Sequence, residues 1–212
     1  MPRRRRVAAV LLAAGGSVRL GRPKQLLPFR HHTLLRHATE TALASTCETV
    51  YVVLGALSER MVPELEDLPV HVVRNADWQE GMGASIRCGV SAALRGTDRL
   101  DGVLLLLADQ PLVTPAHLVH LVSLFRDGHA PIVAAYYADR PGVPVLFGAT
   151  LFADLMALKG DQGARRLVDA RLNDTLLVDL PEAASDVDLE ADFEALQVLE
   201  VSDHAGERRQ GR

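Results

Sequence analysis

Between Leu11 and Phe29 an apolar run gives way to Ala14-Gly15-Gly16-Ser17 and then to three cations, Arg19, Arg22 and Lys24. Glycine leaves backbone N–H groups open to a ligand because no Cβ stands in the way, and Gly15 and Gly16 are free to take positive φ. The cations add charge-assisted hydrogen bonds, each worth about 1.5–3 kcal/mol when partly desolvated. Bare backbone beside concentrated positive charge is a surface for a polyanion such as a nucleoside triphosphate. Two familiar phosphate loops are excluded. Arg22 and Pro23 separate Gly21 from Lys24, and Gln25 follows, so the Walker A ending is missing. The spacing of Gly15, Gly16 and Gly21 also fails the dinucleotide fingerprint.

A second constellation is acidic. Asp109 ends a run of four leucines, Leu104 to Leu107 and then Ala108, an unusual position for a charge with no partner. A carboxylate there suits Mg²⁺ bridging triphosphate oxygens. Its plainer role, capping the next helix, falls better to Thr114, which precedes Pro115. Asp186 and Asp188 stand just before the last helix as candidates for a second metal ligand, with helix capping the competing role for Asp188. The segment from Asn75 to Gly89 follows a strand and opens a helix, so N–H groups near Ala84 to Ile86 can face an anion or a base edge. Trp78, the only tryptophan, is either a wall of that site or a packing anchor. His117 and His120 have a helical i, i+3 spacing but no third ligand, which favours a helix-end or solvated role.

These residues need a frame to bring them together. Short apolar strands are expected at Val7–Ala13, Thr49–Leu54, Val70–Arg74, Gly102–Ala108, Ile132–Tyr137, Val143–Phe147 and Leu176–Asp179. Helices are expected at Thr33–Ala44, Gly83–Leu94, Pro115–Arg126, Gly163–Leu172 and Glu190–Leu199. In the third of these, Leu118, Leu121, Val122 and Phe125 share one face. Alternation of this kind implies an α/β three-layer sandwich with a mostly parallel sheet, and such sheets bind ligands beyond the carboxyl ends of their strands. The glycine loop, Asp109 and Asn75 all leave strands at that edge.

Composition narrows the partners. The chain has 212 residues, 48% of them hydrophobic, and a formal net charge of −4. That length suits one domain over 1–200, and the polar stretch 201–212 reads as a disordered tail. A negative net charge argues against nucleic acid, so the early cations are local to a site. Cys47 and Cys88 form no C-x-x-C pair, which suggests neither zinc nor a disulfide framework and fits the cytoplasm. Arg3 to Arg6 followed by Val7 to Ala14 imitates a secretory signal, yet it is read as mature chain because its apolar run continues into the glycine loop. No run approaches the ~20 apolar residues of a membrane span.

The stretch L-A-A-G-G-S-V-R-L-G-R-P-K-Q-L-L-P, residues 12 to 28, resembles the signature loop of the molybdenum cofactor cytidylyltransferases, in the MobA-like nucleotidyltransferase superfamily, with Leu20 where methionine is usual. Asp109-Gln110-Pro111 resembles that family's D-Q-P motif, and Asn75 to Gly89 its N-x-x-W-x-x-G-M-x-x-S segment. The resemblance implies a Rossmann-like sheet of the nucleotide-diphospho-sugar transferase type. It further implies nucleotide binding by Ala13, Ala14, Gly15, Gly16, Ser17, Lys24, Asn75, Gly81, Met82, Ser85 and Asp109, with Arg19, Lys24 and Asp109 catalytic. Arg140 to Phe147 resembles a G-x-P-V-L-F segment and Lys159 to Arg165 an L-x-G-D-x-G-A-R turn, implying acceptor contacts from Gln110, Gly142, Pro144, Asp161, Gly163 and Arg165. Asp109 with Asp188 would hold Mg²⁺, although Leu189 and Ala191 replace the Thr and Pro usual near Asp188.

By that resemblance CMP passes from CTP to the terminal phosphate of a molybdopterin-type cofactor, diphosphate leaves, and the product passes to a recipient molybdoenzyme or its chaperone. Ala14 favours CTP mildly, because guanylyl relatives tend to have glycine there. GTP on the same cofactor, another phosphorylated small molecule as acceptor, and a non-catalytic cofactor carrier remain as alternatives.

Overall fold

The computed structural model describes residues 3–17 and 20–198. The tail expected at 201–212 lies outside the described residues.

The first strand, β1 (Val7–Ala13), is apolar and buried at every position, as a strand covered on both faces must be. A two-residue ladder, β2 (Pro28–Phe29) with β3 (His32–Thr33), leads into α1 (Leu34–Leu43), where the Thr33 side chain accepts a hydrogen bond from Arg36 N. Next come β4 (Thr49–Leu54), the short α2 (Ser58–Met61), β5 (His71–Arg74) and α3 (Met82–Arg95). They are followed by β6 (Gly102–Leu107), α4 (Pro115–Asp127), β7 (Ile132–Tyr137), β8 (Arg140–Gly148), α5 (Phe152–Met156), α6 (Arg165–Ala170) and β9 (Thr175–Asp179). Residues 190–198 are helical. α4 starts as its sequence demands, with Pro115 in the first turn and a reciprocal cap between Thr114 and His117, which gives His117 a helix-end role.

The seven strands form one sheet in the order β5-β4-β1-β6-β8-β7-β9. All pairings are parallel except the two made by β8, so the expected mostly parallel sandwich is the observed one. Alternate residues of β1 divide between two layers. Val7, Ala9 and Leu11 pack with Leu35 of α1 and Leu118, Leu121 and Phe125 of α4. Ala8, Val10 and Leu12 pack with Ile86 and Val90 of α3 and Leu155 of α5. A third apolar cluster joins Leu27, Phe29 and Leu34 to Val187, Phe193 and Leu196. It ties the segment carrying Asp186 and Asp188 beneath the glycine loop.

Two elements depart from expectation. β8 begins at Arg140 rather than Val143 because it forms a hairpin with β7, turning through Ala138 and Asp139, both at positive φ. The helix expected over Gly163–Leu172 is shorter, its ends replaced by turns. Among the described residues no helix is long and apolar enough to cross a membrane.

Successive crossovers diverge from β1, toward β4 on one side and β6 on the other. That is the switch point at which open α/β sheets bind ligands, and both the glycine loop and Asp109 leave the sheet there.

Candidate functional site

The glycine loop is shaped from beneath by one side chain. Gln25 is 3% exposed; its Nε2 donates to Gly15 O at 2.8 Å and to Ala13 O at 3.2 Å. Its Oε1 accepts from Ser17 Oγ, which in turn accepts from Lys24 N at 3.0 Å. Buried carbonyls must find donors, and Gln25 supplies two from inside the fold. Positive φ falls on Ser17 and Gly21, not on Gly15 and Gly16 as expected, because the Gln25 contacts hold the loop in a shape that turns after the glycines. Gln25→Leu keeps the volume and removes these bonds. Stranding them should cost about 1–3 kcal/mol of stability and weaken nucleotide binding by about tenfold, read in thermal melts and nucleotide titrations.

Above the loop lies a cleft of about 370 Å³, lined by Leu12, Ala13, Ala14, Gly15, Gly16, Lys24, Gln25, Trp78, Gln79, Gly81, Met82, Ser85, Leu107, Ala108, Asp109 and Asp161. Trp78 serves both expected roles. It packs with the α3-side core and walls the cleft, fitting a slot at Gly55, where a Cβ would stand 2.6 Å from its own. Asn75 is a strut behind that wall: its Nδ2 donates to Ser85 Oγ at 3.1 Å and its Oδ1 accepts from Asp77 N at 3.0 Å. The far wall is fastened by Glu80, which pairs with Arg87 and accepts from Gly160 N. The Arg87 pair holds the Glu80 carboxyl below the usual carboxylate range.

The acidic rim meets the loop through Lys24. Its Nζ contacts Asp109 Oδ2 and lies 2.6 Å from Asp188 Oδ1. The Lys24 and Asp109 side chains are 17% and 15% exposed, that of Asp188 42%. Burial works against the lysine charge, but the two carboxylates outweigh it and its pKa stands above the ordinary value. Val187 N donates to Asp109 O at 3.0 Å, joining the two acidic segments. Asp186 faces the same group, and burial together with the charges of Asp109 and Asp188 lifts its carboxyl above the usual range.

Thus the cleft gathers Ala13, Ala14, Gly15, Gly16, Lys24, Gly81, Met82, Ser85, Asp109 and Asp161, with Asp188 reaching it through Lys24. Ser17 and Asn75 stand behind it as supports. Other expected residues are elsewhere. Gln110 points inward, its Nε2 donating to Val143 O at 2.9 Å and Ala183 O at 2.7 Å. Pro144 is buried on the same side of the sheet as Gln110, and Gly142 lies against the Tyr137 ring. Arg165 is turned to solvent with Asp169, while Gly163 backs Met82. Arg22 is drawn away to Glu190 and lies over Phe193. Arg19 lies outside the described residues. Sequence reasoning missed the polar lining residues Gln25 and Gln79, along with the strand-end residues Leu12, Leu107 and Ala108.

Residues 9–175 match the model of the MobA-like NTP transferase domain. The chain belongs to this family. The transferase is 37% identical to a protein named nicotine blue oxidoreductase from Paenarthrobacter nicotinovorans, over 75% of this chain and 79% of that one. It is 33% identical to a probable molybdenum cofactor guanylyltransferase from Rhodopirellula baltica, over 66% of this chain and 65% of that one. The solved structure of Rv0371c from Mycobacterium tuberculosis, in complex with manganese, superposes with a TM-score of 0.74 at 30% identity, covering 90% of this chain and 97% of that one. The transferase is therefore a nucleotidyltransferase with the nucleotide-diphospho-sugar transferase fold.

The donor set of the transferase suits a hard cation. Asp109 Oδ1 is buried and has no hydrogen-bond partner, and Asp109 and Asp188 converge on one point through Lys24. Among the described residues no three carboxyl, histidine or cysteine side chains cluster as a complete metal site. Two carboxylates suit a divalent cation whose shell substrate phosphates and water complete.

Proposed function

We propose that this nucleotidyltransferase moves CMP from CTP to the terminal phosphate of a molybdopterin-type cofactor and releases diphosphate. The observation that carries the transfer is the junction of Lys24 with Asp109 and Asp188 at the mouth of the glycine loop, one cation and two carboxylates where a triphosphate would lie. The signature loop and the relative named a guanylyltransferase support the acceptor class. Ala14, buried in the cleft lining, supports the smaller base.

In this reading the acceptor phosphate oxygen attacks the α-phosphorus, and the bond from that phosphorus to the departing diphosphate breaks. A phosphate monoester is already anionic near neutral pH, so the protein need not supply a general base. Gly15 and Gly16 let the chain approach the phosphates. Lys24 neutralises charge on them, and Trp78 and Met82 offer apolar walls to a planar ring. Asp109 and Asp188 would hold Mg²⁺, which when bound offsets triphosphate charge. Asp161, across from the loop, faces the acceptor side. Cys47 and Cys88 are free thiols, which fits a reducing cytoplasm, and the product would pass to a molybdoenzyme or its chaperone.

Diphosphate release from CTP, GTP and ATP, with and without the pterin acceptor, tests base and acceptor together. Release is expected with CTP only when the pterin is present. Acceptor-dependent release from GTP alone would overturn the base assignment. Release from CTP with a sugar phosphate but not the pterin would overturn the acceptor.

A further inference from the structure

We infer that Lys24 is an internal stand-in for the divalent cation: its ammonium holds the Asp109–Asp188 pair until a metal–nucleotide complex transfers it to phosphate. This rests on the proposed metal role of those two carboxylates. The oxygens that Lys24 Nζ contacts, Asp109 Oδ2 and Asp188 Oδ1, belong to the groups a dication would need, so the ammonium and the metal compete for them. Only the Lys24 side chain has to move. Its backbone is fixed by Lys24 N to Ser17 Oγ at 3.0 Å and by Leu27 N to Lys24 O at 3.0 Å, and its stem already lines the cleft.

The consequence is coupling. Metal alone must displace the ammonium from both carboxylates, and nucleotide alone meets a lysine already neutralised by them. Arriving together, metal takes the carboxylates and phosphate takes the ammonium. Each ligand then raises the affinity of the other by the same factor, as linkage requires.

The test is Mn²⁺ binding without nucleotide, followed by the loss of the free-ion paramagnetic resonance signal. Lys24→Gln and Lys24→Met should bind Mn²⁺ at least about tenfold tighter than the wild type, a coupling of ordinary size, and Asp109→Asn should lose it. Unchanged or weaker binding by both lysine variants, with Asp109→Asn still defective, would overturn the inference and leave the metal role standing. Wild-type affinity in Asp109→Asn would overturn both.

A second measurement needs no variant. The chain has two lysines, Lys24 and Lys159, and Lys159 makes no salt bridge among the described residues. Acylation followed by peptide mass spectrometry should be several-fold faster at Lys24 once Mn²⁺ saturates the protein, with Lys159 unchanged. CTP added with Mn²⁺ should protect Lys24 again. A Lys24 rate indifferent to saturating Mn²⁺ would overturn the inference.

Discussion

Asp109→Asn is expected to fold and to lose at least about 10²-fold in turnover, the scale of one preorganised charge-stabilising group. The substitution keeps the shape of the side chain. It also leaves Asp109 O free to accept from Val187 N, so the two acidic segments stay joined. What disappears is the charge beside Lys24 and one of the two acceptor oxygens: with the amide oxygen turned to Lys24, an N–H₂ donor takes the place of Oδ1, the buried oxygen with no partner in the protein. Lys24 keeps Asp188, so the drop in melting temperature should be small while the kinetic loss is large. Initial rates of diphosphate release, with nucleotide and acceptor varied separately, distinguish the outcomes. A fall confined to kcat marks a contribution made in the transition state, and a rise confined to KM marks uniform binding. Near-normal turnover in the folded variant would remove Asp109 from the reaction.

The parts of this fold that were legible in sequence are those in which local chemistry and tertiary context agree. β1 is uninterrupted apolar chain because it is covered on both faces, and Thr114-Pro115 starts α4 because capping is a short-range matter. The glycine loop and Asp109 could be placed at one edge because a parallel sheet sends all its following loops the same way. Less visible were features that depend on distant atoms. The β7–β8 turn uses Ala138 and Asp139 at positive φ, with no glycine or asparagine to announce it, because hairpin pairing carries the backbone strain. Gln25 gave no signal because a glutamine beneath a loop looks like one on a surface. Its role exists only once the carbonyls of Ala13 and Gly15 are within reach of its amide. Gln110 and Asn75 pose the reverse problem. A polar residue at a strand end suits a ligand or a buried strut, and in both the side chain turned inward to satisfy protein groups.

Gly81→Ala should damage the acceptor side and the α3 wall of the cleft while leaving the phosphate loop in place. Gly81 has φ 119° and ψ −168°, a region open in practice to glycine alone, and a side chain there costs of order 1–3 kcal/mol. Space is the heavier obstacle. A Cβ would stand 2.4 Å from Asp161 Oδ1 and 2.6 Å from both the carbonyl carbon and oxygen of Gly160. Asp161 can swing aside as a side chain, whereas the Gly160 backbone is held by Gly83 N donating to its carbonyl at 2.9 Å and by its own N–H on Glu80. Relief therefore means moving the whole turn that carries Asp161, or displacing the start of α3 that carries Met82 and Ser85. A misplacement of about 1 Å at a reacting pair can cost about 10²-fold, so kcat/KM for the acceptor should fall by about that much. Gly15 and Lys24 belong to the opposite wall and keep their place, but Met82 and Ser85 stand on the displaced one, so nucleotide affinity should also fall, by about the fivefold that one lost hydrogen bond of ~1 kcal/mol represents. Separate titrations of nucleotide and acceptor read the split. A larger loss for the nucleotide than for the acceptor would show that the turn at Gly160 positions the base rather than the acceptor.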